Sequence, residues 1–152
     1  MLHLRELHYS ILKSLDQDGL GLCWSFSTTK AMMYLRAIMG EYLIVLSAWW
    51  VAGIVKRWRD QGGWGGESLD QIVKNGVPEL SFCPEYKSSY DTPQTRENAT
   101  HHKCLEWWEG SDDPEKARHQ KFSAHLMGLP TVDDWNFWGH STCGIAAKQW
   151  KP

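Results

Sequence analysis

The stretch QDGLGLCWSFSTT, residues 17–29, constrains this chain more than any other. Gly19 and Gly21 punctuate a loop that runs straight into Cys23. Beyond it, Met32, Leu35, Ile38 and Met39 recur near helical spacing, so a helix is expected from Trp24 to Met39 with Gly40 at its stop. A cysteine at the first turn of such a helix lies against the positive end of the helix dipole, which favours its thiolate. The competing assignment is a small, buried and inert thiol.

Further helix signals follow. Ser47 is placed to cap a helix over Ala48 to Arg59, whose basic last turn suits the dipole. DQGGWGGESL reads as a glycine-rich loop, after which Ser68 and Gln71 have capping-box spacing for a short helix ending at Asn75-Gly76. From Cys83 to Gly110 the chain turns polar and reads as a long loop. Asp113 precedes Pro114 at a first helical position, with Gly128 as the stop. LPTVDDWNFWGHSTCGIAA then has the content of two short strands broken at Gly139. Helices first, then a helix and strands, make the fold class α+β.

Composition narrows the function. The 152 residues fit one domain, and a net charge of −2 leaves no footprint for nucleic acid. No apolar run reaches the ~20 residues of a membrane span; the best, from Tyr42, runs into Lys56, Arg57 and Arg59. The first ten residues lack an apolar signal core, so a cytoplasmic product is expected. Four cysteines (Cys23, Cys83, Cys104, Cys143) form no CxxC pair. His101 to Cys104 reads HHKC without a second cluster, so neither a metal nor another cofactor is expected. Ten tryptophans either fill a small core or form a contact surface.

A nucleophilic cysteine needs a base and a donor for the developing oxyanion. Gln17, six residues before Cys23, has a side-chain amide to offer beside the Cys23 N–H. QDGLGLCWSFS in this order resembles the cysteine motif of the papain-like cysteine peptidases. LSAWWVAGIVKRW from Leu46, GGWGG from Gly62, NGVPELSFCPEY, GLPTV at Gly128 and GHSTCGIAA are each similar to later segments of that family, in the right order. The resemblance covers most of residues 15–88 and 115–147. It implies a single domain over 1–152. Residues 13–88 would be mainly a helical lobe, 89–112 a linker or excursion, and 113–152 with 1–12 a truncated antiparallel β lobe.

Residue by residue, the resemblance makes Cys23 the nucleophile, Gln17 the oxyanion donor and His140 the general base. Gly65, Gly66 and Trp24 would contact an extended substrate. A second alignment sets NFWG at Asn136 against the family's Asn-x-Trp-Gly, whose Asn orients the histidine; the base would then be His119 or His125. Those two lie in a helical run, whereas the family's histidine opens an apolar strand, which favours His140. Leu20 and Gly63 stand where the family often has paired half-cystines, so all four cysteines are expected to be unpaired. Set against the family, no propeptide is expected before the motif, and with twelve residues after His140 the family's final strands and orienting Asn are expected to be missing.

Shortened papain-like chains of this kind resemble those encoded by tailed bacteriophages, which implies the host cytoplasm and a virion as settings. Two functions follow. One is a cysteine peptidase acting on a peptide or protein substrate, of reduced activity without an orienting amide. The other is a non-catalytic structural or interaction protein on the same scaffold, such as a virion component. An open strand edge near Ala147, with Trp150 as anchor, would pair with another copy or a protein partner.

Overall fold

The computed structural model describes residues 19–127, 129–135 and 140–144. Five α-helices and one two-stranded sheet are formed by these residues: α1 (Cys23–Ile38), α2 (Ala48–Lys56), α3 (Gly65–Asn75), α4 (Pro93–Ala99), α5 (Pro114–Leu126), β1 (Thr131–Trp135) and β2 (His140–Gly144). The strands pair antiparallel, with Thr131 opposite Gly144, Val132 opposite Cys143 and Trp135 opposite His140.

Helix α1 begins on Cys23, one residue ahead of the expected start, and the chain leaves it through Gly40 at φ +81°. It is the central element: Trp24, Met32, Met33 and Tyr34 are all buried, and α2, α3, β1 and β2 pack against it. Leu22, Trp50, Val51, Ile72 and Val77 complete the core.

Buried hydroxyls lock these helices together. Ser25 donates to the Ala48 carbonyl at 2.8 Å, and Ser68 on α3 lies 2.5 Å from Thr28 on α1 and 3.2 Å from the Trp24 carbonyl. Ser47 caps α2 by accepting the Trp50 N–H, and its own proton goes to the Cys83 carbonyl at 2.5 Å. Each of these buried hydroxyls thereby finds an acceptor within the core.

Three expectations are corrected. Helix α2 stops at Lys56 rather than Arg59, because Arg57 and Trp58 take positive φ and turn the Trp58 ring towards Tyr86, 5.4 Å away. Helix α3 starts a turn early, at Gly65. A Glu67 carboxylate oxygen accepts the Trp64 N–H at 2.9 Å and supplies the cap that Ser68 was expected to give. The polar stretch read as a loop contains α4, capped by Thr92 with Pro93 in its first turn. That stretch docks on the helices: Asp91 accepts the Trp50 indole N–H at 3.1 Å, and Asn98 accepts the Glu79 N–H at 2.8 Å. Local caps were legible there, but the polar composition masked them.

Helix α5 has the expected cap, with Asp113 accepting the N–H groups of Glu115 and Lys116. The tryptophans divide between core and surface. Trp24, Trp49 and Trp50 are buried, while Trp64 and Trp108 are 45% and 78% exposed. No described helix is long and apolar enough to cross a membrane.

Candidate functional site

Cys23 is the first residue of α1 and is half-buried. Its N-cap, Leu22, has no side-chain acceptor for the helix's first N–H groups, and no acidic residue stands in the first turn. The positive end of the helix is therefore not neutralised by a carboxylate of its own first turn. Leu22 is itself fully buried, so packing decided that position over capping.

The other three thiols have different surroundings. Burial pushes Cys83 up to about 11 and Cys143 up to about 12, and raises Cys104 as well. Cys143 also feels Lys30 of α1, which draws it back down, and Asp133, which raises it further. All four cysteines are free. Beside Leu20 and Gly63, which stand where the family often has half-cystines, neighbouring residues join the two segments by hydrogen bonds. The Gly21 N–H donates to Asp60 at 3.1 Å, and the Trp24 indole N–H donates to the Gln61 carbonyl at 3.3 Å.

Those ties hold the 60–66 segment against the start of α1. Lys56 reaches both carboxylate oxygens of Glu67, at 3.0 and 3.1 Å, with its ammonium 5.4 Å above the Trp24 ring. Burial alone would raise the Glu67 carboxyl, yet the Trp64 N–H and Lys56 outweigh it and hold the group below its ordinary value. Gly63 lies so close to the Trp24 indole that a Cβ would come within 2.7 Å of it. No local pattern in the sequence pointed to Lys56, Asp60 or Glu67. Lys56 and Glu67 stand eleven residues apart on different helices, and only tertiary packing brings them together.

The residues expected at the site fall as follows. Trp24 is only 1% exposed, so its ring supports the site from beneath; the expectation that it touches substrate is corrected. Gly65 and Gly66 open α3 and are buried, and the Trp64 indole lies over Gly66. His140 begins β2, the strand that packs on the Cys23 helix. His119 is exposed on α5, whereas His125 is buried with Nε2 3.0 Å from the Thr131 hydroxyl. Gln17, Asn136, Ala147 and Trp150 lie outside the described residues.

In the HHKC segment, the His102 ring is turned inward, with Nδ1 3.0 Å from the Val77 carbonyl. Among the described residues, no group of three His, Cys, Asp or Glu is arranged to hold a metal ion.

No protein-family model matches the chain, and no curated protein does. Solved structures do match. Xylellain, a cysteine protease from Xylella fastidiosa, superposes with a TM-score of 0.64 at 14% identity, over 79% of this chain and 54% of that one. The Carica candamarcensis cysteine protease CMS1MS2 gives 0.62 at 19% identity, over 88% of this chain and 62% of that one. Procathepsin L 3 from the Tenebrio molitor larval midgut gives 0.57 at 21% identity, over 79% and 40%. The fold is therefore the papain-like α+β fold, as the sequence motifs implied. The chain matches about half the length of these structures.

Proposed function

We propose that the chain is a papain-like cysteine peptidase with Cys23 as its nucleophile. The observation that carries this reading is Cys23 at the N-terminus of α1, half-buried, with the strand that begins at His140 packed on the same helix. The first N–H groups of a helix have no intrahelical acceptor and attract negative charge, which suits an anionic intermediate formed there.

In the proposed reaction His140 takes the thiol proton and the thiolate attacks the carbonyl carbon of a peptide bond. The negative charge passes to the carbonyl oxygen, which the Cys23 N–H and the Gln17 amide receive. Collapse of this intermediate breaks the C–N bond, His140 returns its proton to the departing amine, and an acyl-enzyme thioester remains. Water then attacks the thioester and restores the thiol. The substrate backbone lies along the start of α3, at Gly65 and Gly66, where a side chain would obstruct it.

A second reading is a structural protein on this scaffold, such as a bacteriophage virion component. It draws on Leu105 and Trp108, which are 96% and 78% exposed on one short segment, since large exposed apolar groups mark contact surfaces. Labelling separates the two. A thiol-reactive peptidyl inhibitor should modify wild-type protein at Cys23 and leave Cys23→Ala unmodified. Absence of labelling, with no hydrolysis of denatured protein substrates, would exclude the peptidase.

A further inference from the structure

The Trp64 indole rests on Gly66. A Cβ built on Gly66 would come within 2.5–2.7 Å of three carbons of the six-membered ring, so the ring occupies the space in front of that glycine. Gly66 is buried as a result, although Trp64 itself is 45% exposed. A second indole holds the first in place. Trp107 meets Trp64 edge to face, with ring centres 5.7 Å apart and planes at 76°, and its N–H donates to Asp70 at 2.9 Å. Asp70 lies one turn beyond Gly66 on α3, so the two indoles touch the same face of that helix, Trp64 at Gly66 and Trp107 at Asp70. The covered surface lies near the start of α1, because Gly63, next to Trp64, lies against the Trp24 indole, where a Cβ would come within 2.7 Å, and the Trp24 indole N–H donates to the Gln61 carbonyl at 3.3 Å.

We infer that Trp64 is a specificity-determining residue of the site, a displaceable indole that admits short ligands to Cys23 and discriminates against ligands extending along α3. This rests on the peptidase reading, in which an extended backbone passes Gly66. A backbone and an indole cannot share that space. A small electrophile reaches the thiol without touching α3, whereas an extended peptide must first push Trp64 aside and break its contact with Trp107. An exposed aromatic edge contact is weak, so the barrier slows extended ligands without excluding them. Asp70 fixes Trp107 and thereby sets how firmly Trp64 is held.

The test is the rate of Cys23 modification, resolved by mass spectrometry on the full chain, with two probes: iodoacetamide and a tripeptidyl vinyl sulfone. Wild type, Trp64→Ala and Trp107→Ala are compared, and the ratio of tripeptidyl to iodoacetamide rate is read for each. The ratio should rise roughly fivefold to tenfold in Trp64→Ala, the scale of one aromatic contact, and about twofold to threefold in Trp107→Ala. Trp107→Ala leaves the Trp64 side chain in place and decides the matter if Trp64→Ala does not fold. An unchanged ratio, with the tripeptidyl probe labelling Cys23 in every variant, overturns the role of Trp64 and leaves the peptidase reading standing. Failure of that probe to label any variant, while iodoacetamide labels Cys23 in all, overturns both.

Discussion

Glu67 holds the Lys56 ammonium with both carboxylate oxygens, and one of those oxygens also accepts the Trp64 N–H. A single carboxylate thus joins the end of α2 to the start of α3 and presses Lys56 over Trp24. Glu67→Gln should lower stability by about 1 kcal/mol, since the pair is partly exposed and screened. The Glu67 carboxyl titrates lower in the fold than its ordinary 4.5. Its contribution is therefore complete above that value and is lost as pH falls through the lower folded value. Urea denaturation of wild type and Glu67→Gln at pH 7 and at successively lower pH checks this, with the difference expected to shrink only below about pH 4.5.

The four thiols should react at very different rates. Burial raises Cys83, Cys104 and Cys143, which suppresses their thiolates at neutral pH, while Cys23 is half-buried at a helix N-terminus. Site-resolved alkylation at pH 7 should give Cys23 a rate at least about tenfold above the others, the factor of one pKa unit. Equal rates at all four positions would remove the activated thiol.

His102 ties α3 to the end of α4, with its Nδ1–H given to Val77 and its carbonyl accepting the Val77 N–H. Burial first, and then the Arg36 guanidinium, lower its affinity for a proton below the ordinary 6.5. The unfolded chain therefore binds the proton more readily, so stability is full above pH 6.5 and declines as pH falls towards the folded value. The melting temperature of wild type should drop about 2–4 °C more than that of His102→Gln between pH 7.5 and 5.5. Parallel curves would show that His102 does not titrate on unfolding.

Gly76 ends α3 at φ +81° and ψ −165°, a conformation close to exclusive to glycine. A side chain there would also run into the Ala99 carbonyl. Gly76→Ala should therefore cost about 2–5 kcal/mol, combining backbone strain with overpacking. Chemical denaturation measures it, and a loss under about 1 kcal/mol would mean that α4 moves aside freely.

Local chemistry in the sequence determined a good deal. Ser47 and Asp113 announced their caps, Gly40 its stop, and Thr131 to Gly144 their strands, because each signal acts within a few residues. The motif around Cys23 placed the thiol at a helix start and implied the papain-like fold. Tertiary structure alone decided what surrounds that thiol. Trp24 looked like a substrate contact but went into the core, because its indole fills the space between Gly63 and Lys56. GGWGG looked like open loop, yet Glu67 reached back to Trp64 and started a helix there. The cover on Gly66 depends on Trp107, forty-three residues from Trp64 and held by Asp70. Contacts at such separations come from packing many side chains at once, and no periodicity or spacing along the chain records them.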